Sequence, residues 1–495
     1  MPEPFPQLWS VLGTAITLVV AAGASAHAIL NKRDSRAAVG WVGLIWLVPL
    51  VGALLYILFG INRVRRRAIG RRPFHREARP GEATARSRRP TGKVERAHRG
   101  GLSPAGAPRR ESGLRESLRR LLDGIARRPL TDGNDVRMLV NGDEAYPEMI
   151  AAIDAAERTV ALATYIFDND AAGRLFLDAL AGAVGRGVTV RVLLDAVGAR
   201  YSWPPIVREL GRRGVPVARF GRTLLPWRLP YLNLRNHRKL LVVDGRVGFT
   251  GGLNIREGCI LSSDPRHPVQ DLQCRLEGPV VAHLGETFAE DWAFTTGEDL
   301  DPHVWTAAPG AVGTVAARGL ADGPDEDFEV ARHTLLGALA CANSSVRVMT
   351  PYFLPDSGLI TALGIAAMRG VEVEILLPEA NNLALVQWAA TAQLWQVLAT
   401  GCEVFYTPPP FDHTKLLVVD GEWVLFGSSN WDARSLRLNF EFDVECYDVA
   451  LAERGGELMD RKRAGARPVT LEEVDGRPLL IRLRDGVARL AAPYL

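Results

Sequence analysis

HRKLLVVDGRVGFTGGLN, residues 237–254, and HTKLLVVDGEWVLFGSSN, residues 413–430, are two versions of one stretch set 176 positions apart. Both contain KLLVVDG, both carry a histidine two residues before the lysine, and both end in asparagine after glycine and a small residue. In an extended chain, alternation points His237 and Lys239 to one face and Arg238 to the other, and the same holds for His413 and Lys415. A histidine beside a lysine suits a phosphate better than a core. Imidazole can attack phosphorus or donate a proton, and ammonium offsets oxygen charge. Two such half-sites facing each other would supply one histidine to attack and another to protonate the leaving alkoxide. One exposed His and Lys pair could be incidental, but the same pair twice with the same sequel is not.

Working outward, each copy is preceded by the same succession. RTVALATYIF and GVTVRVLLD flank the helical LFLDALAGAVGRG, as SSVRVMTPYFL and GVEVEILLP flank ITALGIAAMRG. A third strand follows in each, GVPVARF from Gly214 and GCEVFYT from Gly401. The chain is therefore read as α/β, with two copies of one unit, residues 113–306 and 307–495. The first copy has the longer loop before its histidine, GRTLLPWRLPYLNLRN, a candidate cover for the site.

With 495 residues, 47% apolar and 23% charged, the chain can bury more than one ordinary core. The five cysteines are scattered and never at C-x-x-C spacing, which fits neither a disulfide framework nor a zinc site and suits a reducing compartment. Residues 8–30 and 37–61 contain no Asp, Glu, Lys or Arg, and about 20 helical residues cross a bilayer core, so residues 1–61 are expected to form a transmembrane hairpin. A cleaved signal peptide is the weaker reading: MPEPFPQ carries no positive charge, and a second apolar run follows at once.

Behind the second run comes NRVRRRAIGRRP, which places that end in the cytoplasm by the positive-inside rule and makes the protein multi-pass. Residues 61–128 hold 21 Arg/Lys against six Asp/Glu within a net charge of only +3, so the rest of the chain is acidic. Next to a membrane span, that basic stretch points to anionic lipid or to topology rather than nucleic acid. Residues 62–112 read as a disordered linker. Leu114, Leu118, Leu121, Leu122 and Ile125 then recur at helical spacing opposite arginines, giving an amphipathic helix expected to pack on the domain that follows.

H-x-K-x4-D followed by G-G/S-x-N, twice in one chain, resembles the phospholipase D superfamily. The features LLYILFGINRVRRR, YIFDND, RVLLDAVG, LEGPVV, MTPYFLPD and FGSSNWDARSLRLNFE narrow the resemblance to the bacterial cardiolipin synthases. The resemblance implies two phospholipase D-like α-β-α sandwich domains, an inner-membrane location, and the joining of two phosphatidylglycerol molecules into cardiolipin with release of glycerol, without cofactor or metal. It further implies that His237, in the first copy, forms a phosphatidyl-histidine while His413 acts as acid and then base, an order that the symmetry of the repeat does not itself establish. Lys239, Lys415, Asn254 and Asn430 would hold phosphate oxygens, and Asp271 and Glu441 would orient the histidines. Asp244 and Asp420 complete the motif but end their strands, and read as structural members of it.

Two departures stand out: Asp412, where an apolar residue is expected before the second histidine, and REGCILSSDPRHPVQD after Asn254. Tyr165, Tyr352, Trp388 and Trp395 are candidates for an acyl channel or for core. Hydrolysis to phosphatidic acid and a nuclease activity are the competing functions, and the hairpin argues against the second. The other histidines, His27, His75, His98, His267, His283, His303 and His333, share no ligand-like spacing. Activity should therefore survive chelation, since lysines and not a metal would offset the phosphate charge. Full loss in EDTA, restored by one divalent ion, would contradict this.

Overall fold

The computed structural model describes residues 5–32, 35–60, 113–221, 234–306, 309–324 and 329–492. The basic linker 62–112 and most of the loop before His237 lie outside them. Two compact units emerge, an N-terminal one and a second that includes residues 113–221 and 234–492.

In the N-terminal unit, Phe5–Asn31 is one continuous helix, and its stretch Leu12–Asn31 is long and apolar enough to cross a membrane. The second apolar run is helical in pieces: Ser35–Leu47, Pro49–Leu55 and a π-helical turn Tyr56–Gly60. The break falls at Val48, whose backbone leaves the helical region just before Pro49, a residue with no N–H to continue the ladder. Uniform hydropathy did not show that interruption. His27 Nδ1 meets the Tyr56 hydroxyl at 2.7 Å, and Trp41 packs edge-on against Tyr56, tying the two runs together.

The second unit is built on a sixteen-stranded sheet whose order repeats itself. Outward from its middle, the first copy runs Thr131–Val140, Leu272–Glu277, Val247–Gly251, Leu240–Val243, Thr159–Thr164, Thr189–Asp195 and Val217–Phe220. The second runs Val315–Asp322, Asn439–Tyr447, Trp423–Gly427, Leu416–Val419, Ser345–Met349, Glu372–Pro378 and Glu403–Thr407. The two first-named strands pair antiparallel, so the copies share one continuous sheet.

Both faces of the sheet are covered, which explains why its strands read as unbroken apolar runs. Val160, Leu162, Leu241 and Val243 join one core with the helices Asn141–Asp154 and Ala171–Gly185. The alternate residues Ala161 and Ala163 point to the opposite face, where the helix Val281–Thr296 packs. In the second copy Val346, Val348, Leu417 and Val419 pack with Val330–Cys341 and Ser357–Met368.

The repeated Asp-Gly is a hairpin turn. Asp244 and Gly245 have φ of 54° and 67°, Asp420 and Gly421 of 53° and 65°, the two consecutive left-handed residues of a type I′ turn between the paired strands.

The amphipathic helix Gly113–Ile125 departs from expectation. Leu114, Leu118 and Leu122 are buried in the core of the second copy, against Leu335, Ala338 and Leu339, not in the first copy that follows the helix in the chain. Arg318 reinforces that junction from the middle of the sheet. Buried to 1% exposure, it donates to Glu445 at 2.6 Å and to Asp123 of this helix at 2.7 Å. Arg318→Met leaves the Glu445 carboxylate buried without its cation, with the Trp423 N–H at 3.1 Å and the Tyr447 hydroxyl as its neutral neighbours, a loss of about 3–5 kcal/mol. The expected result is a lower Tm of the detergent-solubilised protein, and an unchanged Tm would contradict it.

Candidate active site

His237 and His413 are not inside strands. They lie on the extended approaches to Leu240–Val243 and Leu416–Val419, and their placement depends on two short pairings between the copies. Arg235–Asn236 pairs parallel with Asn439–Phe440, and the next amide, of His237, donates to the Phe440 carbonyl at 2.9 Å. Phe411–Asp412 pairs parallel with Val269–Gln270, and the His413 amide donates to the Gln270 carbonyl at 2.8 Å. The partner strand's next residue is Glu441 in the first case and Asp271 in the second.

Each histidine is thus handed to the other copy's carboxylate. His237 Nδ1 lies 2.9 Å from Glu441 Oε2, and His413 Nδ1 lies 2.7 Å from Asp271 Oδ2. The rings stand 6.5 Å apart, nearly perpendicular. With Nδ1 occupied, the Nε2 of each imidazole is the atom left for chemistry.

The two carboxylates occupy equivalent strand positions in unequal surroundings. Glu441 also accepts from Ser428 Oγ at 2.5 Å, Ser435 Oγ at 2.7 Å and Asn439 Nδ2 at 3.0 Å. Burial would raise its pKa, but His237, Lys239 and these donors bring it down to about 2. Opposite Asp271 stands Gly252 where the second copy has Ser428; a Cβ there would lie 2.2 Å from the carboxylate, so no hydroxyl can be offered. Burial pushes Asp271 up to about 7, and the charge of Asp412 adds to the rise while Lys415 opposes it. Burial also lowers the pKa of both histidines, that of His413 far more.

Lys239 and Lys415 are buried, and each donates back to the carbonyl of its own histidine, at 2.6 and 2.5 Å. Burial lowers Lys239 to about 7 and Lys415 to about 8. Asn254 is buried, its Oδ1 accepting from the Ile166 amide at 3.1 Å, while Asn430 Oδ1 is buried with no hydrogen-bond partner. Asp244 and Asp420 lie at the far ends of the strands. Asp244 accepts from the amides of Glu157, Arg158 and Thr159, and Asp420 from those of Asn343, Ser344 and Ser345, so both brace turns and neither meets a histidine.

Tyr165 and Tyr352 flank the site, edge-on to His237 at 5.2 Å and to His413 at 6.0 Å. Trp388 instead lies under Arg484, and Trp395 is half exposed. Among the described residues no group of three or more His, Cys, Asp and Glu side chains is arranged to hold a metal.

Sequence reasoning missed the residues that brace the two crossings. In the first, Asp291 accepts from Asn236 Nδ2 at 2.8 Å and Arg238 Nη1 at 2.6 Å, while Arg238 also holds the Glu441 carbonyl at 2.8 Å. In the second, Lys462 donates to Asp412 at 2.5 Å and to Gln270. The odd aspartate before His413 is therefore half of an ion pair. Its partner lies 50 residues on, with no shared motif to signal it.

A family model described as "Cardiolipin synthase, PLD-like domain" matches residues 149–292 and 335–462, more than half of the chain. A second, "Phospholipase_D-nuclease N-terminal", matches residues 19–60. The chain belongs to the cardiolipin synthase family. It is 33% identical to cardiolipin synthase A of Pseudomonas fluorescens, over 95% of each chain. It is 31% identical to the major cardiolipin synthase ClsA of Bacillus subtilis, over 94% of this chain and 95% of that one. The crystal structure of phosphatidylserine synthase from Haemophilus influenzae shares the fold, with a TM-score of 0.60 at 14% identity, over 76% of this chain and all of that one.

Two outcomes follow for this family member. The kcat/KM should fall as pH rises through 7 to 8, because Lys239 and Lys415 lose their protons there, whereas the phosphodiester stays anionic; a profile flat to the alkaline side would contradict it. Lys462→Met should cut kcat about 10- to 100-fold by unseating the Asp271 and His413 pair, and Asp412→Asn added to it should restore part of the loss. No recovery in the double variant would reduce Lys462 to a surface contact.

Proposed function

We propose that this protein joins two phosphatidylglycerol molecules into cardiolipin and glycerol at a single site made by both copies. The observation that carries the reading is the facing pair of imidazoles, 6.5 Å apart, each with Nδ1 held by the other copy's carboxylate and each with a lysine beside it. Residues 113–306 and 307–495 are taken as two phospholipase D-like domains, and residues 1–61 as a membrane hairpin. The arginines after it favour a multi-pass inner-membrane protein with its catalytic part in the cytoplasm.

His237 is assigned as the nucleophile. Its Nε2 attacks phosphorus of the first phosphatidylglycerol, and the bond from phosphorus to the glycerol oxygen breaks. His413 gives that oxygen its proton, and glycerol leaves. The second phosphatidylglycerol then offers its terminal hydroxyl, His413 takes the proton back, and the new oxygen displaces His237. Lys239, Lys415, Asn254 and Asn430 hold the phosphate oxygens during both steps.

The unequal carboxylates favour this order. Glu441, ionised throughout the working range, stabilises the positive imidazole that bonding to phosphorus creates at His237. Asp271, pushed up toward neutrality, stabilises the His413 imidazolium less than Glu441 does that of His237, so His413 is the readier of the two to give up a proton once it has taken one.

His413→Ala should still form the covalent adduct slowly from a substrate with a leaving group that needs no protonation, and the adduct should then accumulate. Peptide mapping should place an alkali-stable, acid-labile phosphoryl group on His237. Label on His413, with His237→Ala still labelled, would reverse the order. Phosphatidic acid as the main product of the unsubstituted protein would replace synthesis with hydrolysis.

A further inference from the structure

The helix Leu479–Leu490 faces the wrong way for a soluble protein. Leu479, Leu480, Leu483, Val487 and Leu490 are between 55% and 80% exposed, where a lone exposed aliphatic side chain is ordinary but five on one short helix are not. At 3.6 residues per turn they fall within one arc of about 100°. Arg482 and Arg489 border that arc on one side and Arg484 on the other. The opposite face carries Asp485 and Ala488, which are buried. Arg484 is ion-paired with the buried Asp485 at 2.7 Å and Arg489 donates to the Ala392 carbonyl at 3.5 Å, so the margins are cationic but partly engaged; the apolar residues between them point outward, as in a helix lying in a lipid headgroup layer.

Behind this helix the packing leads to the site. Ala488 shares a cluster with Val386, Ala389 and Leu354, and Tyr352 and Trp388 pack against that cluster. The Arg484 guanidinium lies 4.4 Å above the Trp388 ring, and Tyr352 stands edge-on to His413. On the supporting helix Leu385 is exposed too, extending the apolar surface.

We infer that Leu479–Leu490 is a membrane-docking helix that seats the site on the surface of an anionic phospholipid bilayer, separately from the N-terminal apolar helices. The inference rests on the lipid substrate proposed above. A second copy of the chain fits the face less well: stable dimers bury on the order of 800 Å² per partner over some 20 to 30 residues, and a twofold contact would bring the arginine margins together. An anionic lipid surface matches both the apolar arc and its charged borders.

The test uses the full chain reconstituted in phosphatidylcholine vesicles with and without phosphatidylglycerol, carrying an environment-sensitive fluorophore on Leu483→Cys, with the unsubstituted protein treated alike as background. The expected result is a blue-shifted emission quenched at least about threefold more by acyl-chain nitroxide lipid than by aqueous iodide, with stronger quenching when phosphatidylglycerol is present. Water-like emission quenched by iodide alone, or energy transfer between copies without lipid quenching, overturns it. In parallel, Leu480→Glu, Leu483→Glu and Val487→Glu combined should lower synthesis on vesicles about tenfold while leaving the Tm and turnover of detergent-dispersed short-chain phosphatidylglycerol unchanged. Equal loss in both substrate forms with an intact Tm also overturns it. Should the unsubstituted protein make no cardiolipin, the failure belongs to the proposed reaction, and the quenching measurement still judges the surface.

Discussion

Two strand pairings of two residues each decide what this site can do. Arg235–Asn236 lies beside Asn439–Phe440, and Phe411–Asp412 beside Val269–Gln270. Their register fixes which carboxylate each histidine meets, because the next residue along each partner strand is Glu441 or Asp271. A histidine whose Nδ1 is held by a buried carboxylate has one tautomer and one reactive nitrogen. Since both holds cross between the copies, neither copy supplies the carboxylate that meets its own histidine. The continuous sheet, the helix Gly113–Ile125 inserted into the other copy's core, and the Arg318 network all keep the two halves at the spacing these pairings need.

The same duplication leaves room for difference. Equivalent positions hold Ser428 and Gly252, Glu441 and Asp271, Asn236 and Asp412. The first histidine therefore backs onto a carboxylate held ionised by several donors, the second onto one raised toward neutral pH by burial. Each crossing is braced from the helix that follows the sheet, by Asp291 in one copy and Lys462 in the other, with the charge reversed. The duplicated scaffold thus carries two chemically distinct half-sites, which suits the proposed two-step transfer with separate nucleophile and acid.

Much of this was legible in the sequence, for a physical reason. The strands Thr159–Thr164 and Ser345–Met349 and the Asp-Gly turns follow local rules of alternation and left-handed turn geometry, and the repeat showed them twice. His237, Lys239, His413 and Lys415 stood out because their spacing repeats, whereas Asp271 and Glu441, 34 and 28 residues after the histidines, were singled out only by the resemblance to phospholipase D. What sequence spacing did not convey was the pairing of carboxylate with histidine, since Asp271 follows His237 and Glu441 follows His413 in the chain while contact runs the other way. Lys462 and Arg318 escaped because their partners are set by sheet order, not by chain distance. The helix Gly113–Ile125 had the right apolar stripe, but a stripe names no destination. Pro49 breaks a run whose hydropathy is uniform, and the exposed leucines of Leu479–Leu490 become informative only once burial is known.

The crossed pairing is tested most directly by single-turnover kinetics of the phosphoryl adduct on His237 in two isosteric variants, Glu441→Gln and Asp271→Asn, using a substrate with a good leaving group. Glu441→Gln should slow formation of the adduct on the order of 10²-fold or more, because it strips His237 of its charged partner. Asp271→Asn should leave formation nearly intact and slow its transfer to the second alcohol. The reverse pattern, with Asp271→Asn blocking formation and Glu441→Gln blocking transfer, would mean that each carboxylate serves its own copy's histidine, and would contradict the account.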